Sequence, residues 1–132
     1  MTKVITELNF PTDIYYFHEH TWARVEGDVV RVGISDFAQD SLGDIIFVEL
    51  PNEGESFDKN DEFGQAESAK TVSALYMPLG GKILEVNGDL EENPQNVNQD
   101  PYGRGWMIVV KPSDPEEIKG LLSRDDYLRQ IQ

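Results

Sequence analysis

Residues 42–57 read LGDIIFVELPNEGESF, and a weak echo returns at residues 79–94 as LGGKILEVNGDLEENP. Each copy opens on Leu-Gly, runs through an apolar strand and ends in a Gly/Glu-rich loop. Each is followed by a further strand, EFGQAES after the first and GWMIVVK after the second. Two alike β units point to a mainly β chain folded as a two-fold, flattened barrel or sandwich.

Working outward, FGQAESA (63–69) and TVSALYMP (71–78) read as two extended arms on either side of Lys70. Upstream, residues 21–33 interleave Trp22, Val25, Val29 and Val32 with charges, and Gly27-Asp28 falls where a tight hairpin turn would sit. Ser35 or Asp36 can then N-cap a short helix near 36–42, ended by Gly43. NEGESFDKNDEF (52–63) reads as two turns around a short strand. GDLEENPQNVNQDPYGRG (88–105) reads as one long polar loop, and WMIVVKP (106–112) as a buried strand. Near the end, Ser113-Asp114-Pro115-Glu116 has the form of a capping box, and Ser123 can cap a last helix, RDDYLRQI, with Tyr127, Leu128 and Ile131 on one side. The expectation is a single domain over 1–132, with a β core over about 14–111 and a helical cover over about 113–131.

Composition removes several function classes. With 25 acidic against 11 basic residues the formal charge is −14, which repels nucleic acid and anionic membranes and favours brief docking on basic partner surfaces. No cysteine is present, so disulfides, thiolate nucleophiles and Cys-ligated metals are excluded. The opening MTKVITELNF has no apolar run of signal-peptide or membrane length, and a cytoplasmic protein is expected, or a mitochondrial-matrix one if the chain is a processed organellar product.

Few residues suggest chemistry by themselves. Lys70 lies between two strands at or near a hairpin tip, where a side chain is exposed and can enter another protein's active site. An exposed lysine is a poor base but can accept a covalent group from an enzyme that strips its proton. An ordinary turn lysine is the competing reading. His18 and His20, one residue apart, would share a face on a strand and could form a metal pair, but no third ligand is marked, so a surface or edge-strand cluster is the preferred reading. Gly80-Gly81 and Gly103-Arg104-Gly105 lack the strand–loop–helix context of a phosphate loop and read as turns. No serine context resembles a nucleophile elbow. No catalytic residue is assigned.

The blocks HTWARVEGDVVRVGISDFAQDSLGDIIFVELPNEGESF, ESAKTVSALYMPLGGKILEVN, VNQDPYGRGWMIVVKPSDPEE and LLSRDDYLRQI resemble the H-protein family of the glycine cleavage system over nearly the whole chain. That resemblance implies a lipoyl/biotinyl-type barrel-sandwich hybrid with lipoate held on a turn lysine as lipoyllysine. Lys70 matches that lysine. Glu67, Ser68, Ala69 and Thr71 form the recognition turn, where the family signature Glu-Ser-Val-Lys-Ala is replaced by Glu-Ser-Ala-Lys-Thr. A dithiolane on a long arm would give reactive sulfur to a protein with no cysteine.

The function implied is an aminomethyl shuttle in glycine catabolism, with no catalysis of its own. Its partners would be a pyridoxal-phosphate glycine decarboxylase, an aminomethyltransferase, a flavin dihydrolipoyl dehydrogenase, and the lipoate ligase or lipoyl/octanoyl transferase that installs the arm. A monomer is expected. One departure stands out: the family commonly reads His-Glu-Trp where this chain reads His20-Thr21-Trp22. In the family that glutamate lies in the cleft holding the loaded arm, where it can pair with the aminomethyl amine. Thr21 offers only a hydroxyl, so weaker protection is expected unless Glu19 substitutes. Ser41 stands at a position of the same cleft that is His in some members. The alternatives are an H-like lipoyl donor or relay for other complexes, a biotin carrier (which would resemble Met-Lys-Met rather than Ala69-Lys70-Thr71), and a non-carrier acidic β module.

Overall fold

The computed structural model describes residues 4–132. Strands β1 (Tyr15–Tyr16), β2 (Thr21–Glu26) and β3 (Val29–Ile34) lead into helix α1 (Asp36–Leu42). Strands β4 (Ile45–Glu49), β5 (Ser56–Phe57), β6 (Glu62–Ser68), β7 (Val72–Tyr76) and β8 (Gly81–Val86) follow. Helix α2 (Asn96–Gln99), strand β9 (Ile108–Pro112) and helix α3 (Arg124–Ile131) complete the order. They form two antiparallel sheets, a six-stranded one in the order β1-β2-β3-β9-β8-β5 and a three-stranded one in the order β4-β6-β7. The chain is mainly β, as the sequence suggests.

The repeated unit explains this division. In the first copy β4 pairs with β6; in the second β8 pairs with β9, and the two pairs fall in different sheets. A register shift interrupts the leading strand of each copy, at Ile46 and at Leu84, and both side chains point into water. An extra residue of this kind bends a strand and sharpens its twist. Val32, Ile83, Ile108 and Val110 from the larger sheet meet Val48, Ala66 and Leu75 from the smaller in one buried cluster. Burial of each Val, Leu or Ile side chain among them stabilises the fold by about 1.5–3 kcal/mol.

A second cluster, of Phe10, Ile14, Tyr16, Trp22, Tyr102 and Tyr127, joins the tail to the larger sheet. The Trp22 ring lies over its cross-strand partner Gly33, where a Cβ would stand only 2.8 Å from the indole; no other residue type fits there. The indole N–H donates to the Pro101 carbonyl at 3.0 Å. Helix α3, capped by Ser123 as expected, stacks Tyr127 on Tyr16 with ring centres 4.8 Å apart.

Two local expectations need correction. The capping residue before residue 115 is Asp114, whose carboxylate accepts the Glu116 N–H, and the segment Pro115–Gly120 is a 3-10 helix. Its carboxylate outcompetes the Ser113 hydroxyl because it reaches the helix amide two residues on. Residues 88–105 are also more than a polar loop. A 3-10 turn (Gly88–Glu91) and α2 carry Leu90 and Val97 into the core, and Tyr102 is buried as well. The buried residues lie far apart among Asn, Gln, Asp and Glu, so no period of 3.6 or 2 marks them.

Candidate functional site

The hairpin of β6 and β7 narrows to a three-residue turn, Ala69-Lys70-Thr71, in which all three residues are exposed. Ser68 builds it. Its N–H donates to the Thr71 carbonyl at 2.8 Å, and its buried hydroxyl accepts from the amides of Thr71 at 3.2 Å and Lys70 at 3.4 Å. A serine side chain that satisfies turn amides fixes the backbone beneath an exposed residue. Glu67, one register step back, is half-buried opposite Val72.

Lys70 lies over the end of α1. A Cβ placed on Gly43 would stand 3.5 Å from the lysine Cε and 4.0 Å from Nζ. Gly43 has φ 85, a left-handed conformation that terminates helices at low cost only with glycine. An ammonium beside the carbonyl end of a helix is favourably placed. Asn98 holds this junction: it accepts the Ile45 N–H at 2.8 Å and donates to the Gly43 carbonyl at 2.8 Å and to Gln39 at 2.9 Å. This positioning residue comes from the segment read as loop, and nothing in its sequence context marks it.

Next to the helix end is a cleft of about 170 Å³. Helix α1 supplies Phe37, Ala38, Ser41 and Leu42; β7 supplies Ser73, Ala74 and Leu75; Glu19, His20 and Thr21 close the third side. Thr21 and Ser41, the two expected cleft residues, do line it, in different ways. Ser41 is exposed, whereas Thr21 is fully buried and its hydroxyl donates to the Tyr76 carbonyl at 3.1 Å. That bond ties the two sheets together and leaves the hydroxyl committed. Glu19 is exposed at the mouth, 3.8 Å from His18.

The two histidines part company, against the shared-face expectation. Residues 18–20 form a turn, and His20 has φ 75, which swings it away from His18. His18 is exposed; the half-buried His20 lines the cleft. Its Nδ1 shares a hydrogen bond of 2.8 Å with the Tyr127 hydroxyl, which shares another of 2.8 Å with Ser35, the N-cap of α1. Burial holds the imidazole pKa below its ordinary 6.5, with His18 acting the same way and Glu19 opposing. Burial also pushes the Tyr127 hydroxyl well above the usual phenol range. His20 is therefore neutral at pH 7. Among the described residues no three His, Asp or Glu groups converge as metal ligands. Against expectation, Gly80-Gly81 is not a turn but the entry to a strand: Gly81 opens β8, paired with Phe57 and Pro112, and the Gly80 N–H donates to Glu117. Gly103-Arg104-Gly105 is a turn, closed on Asp100.

A profile of the family "Glycine cleavage H-protein" matches residues 14–132. A glycine cleavage system H protein of Halalkalibacterium halodurans is 52% identical over 93% of this chain and 96% of its own length. One from Bacteroides thetaiotaomicron is 51% identical over 91% of this chain and 95% of its own. The crystal structure of a glycine cleavage system H protein from Mycobacterium marinum superposes with a TM-score of 0.85 at 38% identity, over 92% of this chain and 98% of that one.

Proposed function

The chain belongs to the glycine cleavage H-protein family, the lipoyl shuttle of the glycine cleavage system, and from that premise we propose that Lys70 is its lipoyl attachment site. Members of this family are carriers of that system rather than catalysts, and typically bear lipoyllysine. The observation that carries the assignment is the turn itself. Lys70 is exposed at a tip whose amides are held by a buried serine, with a glycine beneath the stem. An acylating enzyme can engage such a lysine without unfolding anything, and a hydrogen-bonded turn presents the backbone that carries it in one place. Formation of the amide joins Nζ to the acyl carbon, expels the activating group from that carbon and releases the amine's proton.

When attached, the lipoyl group supplies a disulfide whose reduced sulfur can hold an aminomethyl group, chemistry that a chain without cysteine cannot provide. Glu67, Ser68, Ala69 and Thr71 shape the turn that the acylating enzyme, a lipoate ligase or a lipoyl/octanoyl transferase, reads. The cleft beside α1 is the resting place of the arm. Its walls from α1 and β7 are largely apolar, Ser41 offers a hydroxyl at the rim, and Glu19, 3.8 Å from His18, is the carboxylate at the mouth that can meet a cationic amine. The glycine decarboxylase, the aminomethyltransferase and dihydrolipoyl dehydrogenase are the enzymes visited in turn. The chain serves all of them as one lipoyl-carrier domain. No helix of the described residues is long and apolar enough to cross a membrane.

The test is intact mass with peptide mapping after co-expression with a lipoate ligase. A lipoyl increment on the Lys70 peptide, absent in Lys70→Arg, is the expected result. An increment on Lys59 or Lys82, or none, would contradict the assignment.

A further inference from the structure

The outer face of the three-stranded sheet carries large apolar side chains in water. Ile46, Phe47 and Val72 are 55%, 52% and 54% exposed. They are adjacent rather than scattered. Phe47 is paired with Glu67, and Glu67 with Val72, so the three strands place Phe47 and Val72 on either side of Glu67 in one row. Directly opposed residues of an antiparallel pair project to the same face. Ile46 extends the row, because it is the extra residue of the register shift beside Phe47. The rows on either side face inward: Ile45 with Ser68, and Val48 with Ala66, are buried. The apolar row therefore lies one register step behind the turn that carries Lys70.

Its setting is acidic. Asp44 and Glu49 are exposed on β4 or just before it, and neither they nor Glu67 form an ion pair with any described residue. A second copy of this chain would bring the same carboxylates and a charge of −14, so self-association is opposed. The surface that fits is apolar at its centre and basic at its rim.

We propose that this row is the seat of the enzyme that acylates Lys70, resting on the assignment of Lys70 as the acceptor. Partners that use the finished arm can reach it at a distance from the turn. The acylating enzyme cannot: it must bring an activated acyl carbon to bare Nζ, at the end of four methylenes. Even a transient protein complex covers roughly 500–600 Å² on each side, far more than one lysine supplies. A face centred on the turn extends past one register step, about 3.4 Å of strand, and so covers the row. Its apolar centre and acidic surroundings supply the desolvated core and the charged rim of such a contact.

The experiment uses the unlipoylated chain, purified lipoate ligase, ATP and lipoic acid, with acylation followed by intact mass. Ile46→Thr/Phe47→Thr/Val72→Thr is expected to lower kcat/KM for lipoylation about 10-fold or more, through KM, with kcat retained and the melting curve little changed. Val25→Thr, 44% exposed on the larger sheet, leaves the rate at the wild-type value. A triple variant within twofold of wild type, or a Val25→Thr variant as slow as the triple, overturns the proposal. So does a wild-type dimer that the triple variant converts to monomer, which would give the face to a second copy. A wild type that gains no lipoyl group on Lys70 defeats the underlying assignment instead, and is distinguished by the peptide map.

Discussion

The Lys70 turn and the cleft beside it are built in opposite ways. The turn comes from one hairpin, residues 62–76, and its geometry is fixed by a single serine within two residues of the lysine. The cleft is assembled from three separate stretches, the turn around His20, helix α1 and strand β7, and is braced from a fourth, Tyr127 of α3. A local device can vary without cost to the fold. A composite one cannot, because its walls are also sheet–sheet and helix–sheet contacts. Substitutions at the turn should therefore alter modification and spare stability, and substitutions in the cleft should do the reverse.

The largest stability effect is expected at Thr21. Glutamate there would bury a carboxylate against the Tyr76 carbonyl that the threonine hydroxyl now satisfies. Thr21→Glu should cost about 3 kcal/mol or more, read by urea unfolding, while Lys70 of the folded fraction is still lipoylated. A stable Thr21→Glu whose loaded arm decays more slowly would break the distinction and restore Thr21 as an arm contact. Tyr127→Phe comes next. It removes the hydroxyl shared with His20 and Ser35 and should cost about 1–3 kcal/mol, with no change in lipoylation rate. Ser68→Ala is the converse: about 1 kcal/mol or less of stability, but slower lipoylation at Lys70. Equal loss of stability in these last two would contradict a turn that is independent of the fold.

The smallest effect is with pH. The folded chain holds His20 below its unfolded value near 6.5, so between the two values the unfolded state binds more protons. The stability contributed by neutral His20 is complete above about pH 6.5 and declines as pH falls through that window. His20→Asn, which tolerates the same left-handed backbone, should flatten that part of the stability–pH curve. Parallel curves for the two proteins would contradict a buried neutral imidazole.

The same contrast decides what was legible in the sequence. The β units, the Gly27-Asp28 hairpin, Ser35 and Ser123 as helix caps, and the Lys70 turn all depend on neighbours in the chain, and local pattern reports them. Thr21 and Ser41 reached the cleft only through family resemblance. The use of the Thr21 hydroxyl, the positive φ of His20 and the hold of Asn98 on Gly43 are tertiary facts, made by residues 55 or more positions apart or by a backbone rotation that composition does not announce. Leu90 and Val97 are illegible for a related reason: isolated apolar residues in a polar stretch have no period, yet both join the buried core cluster.

The most direct test of the carrier assignment follows the carbon. Lipoylated protein, the glycine decarboxylase and glycine labelled at its methylene carbon should place label on the peptide containing Lys70, and Lys70→Arg should carry none. Label on the peptide of another lysine, or undiminished label in Lys70→Arg, would contradict it.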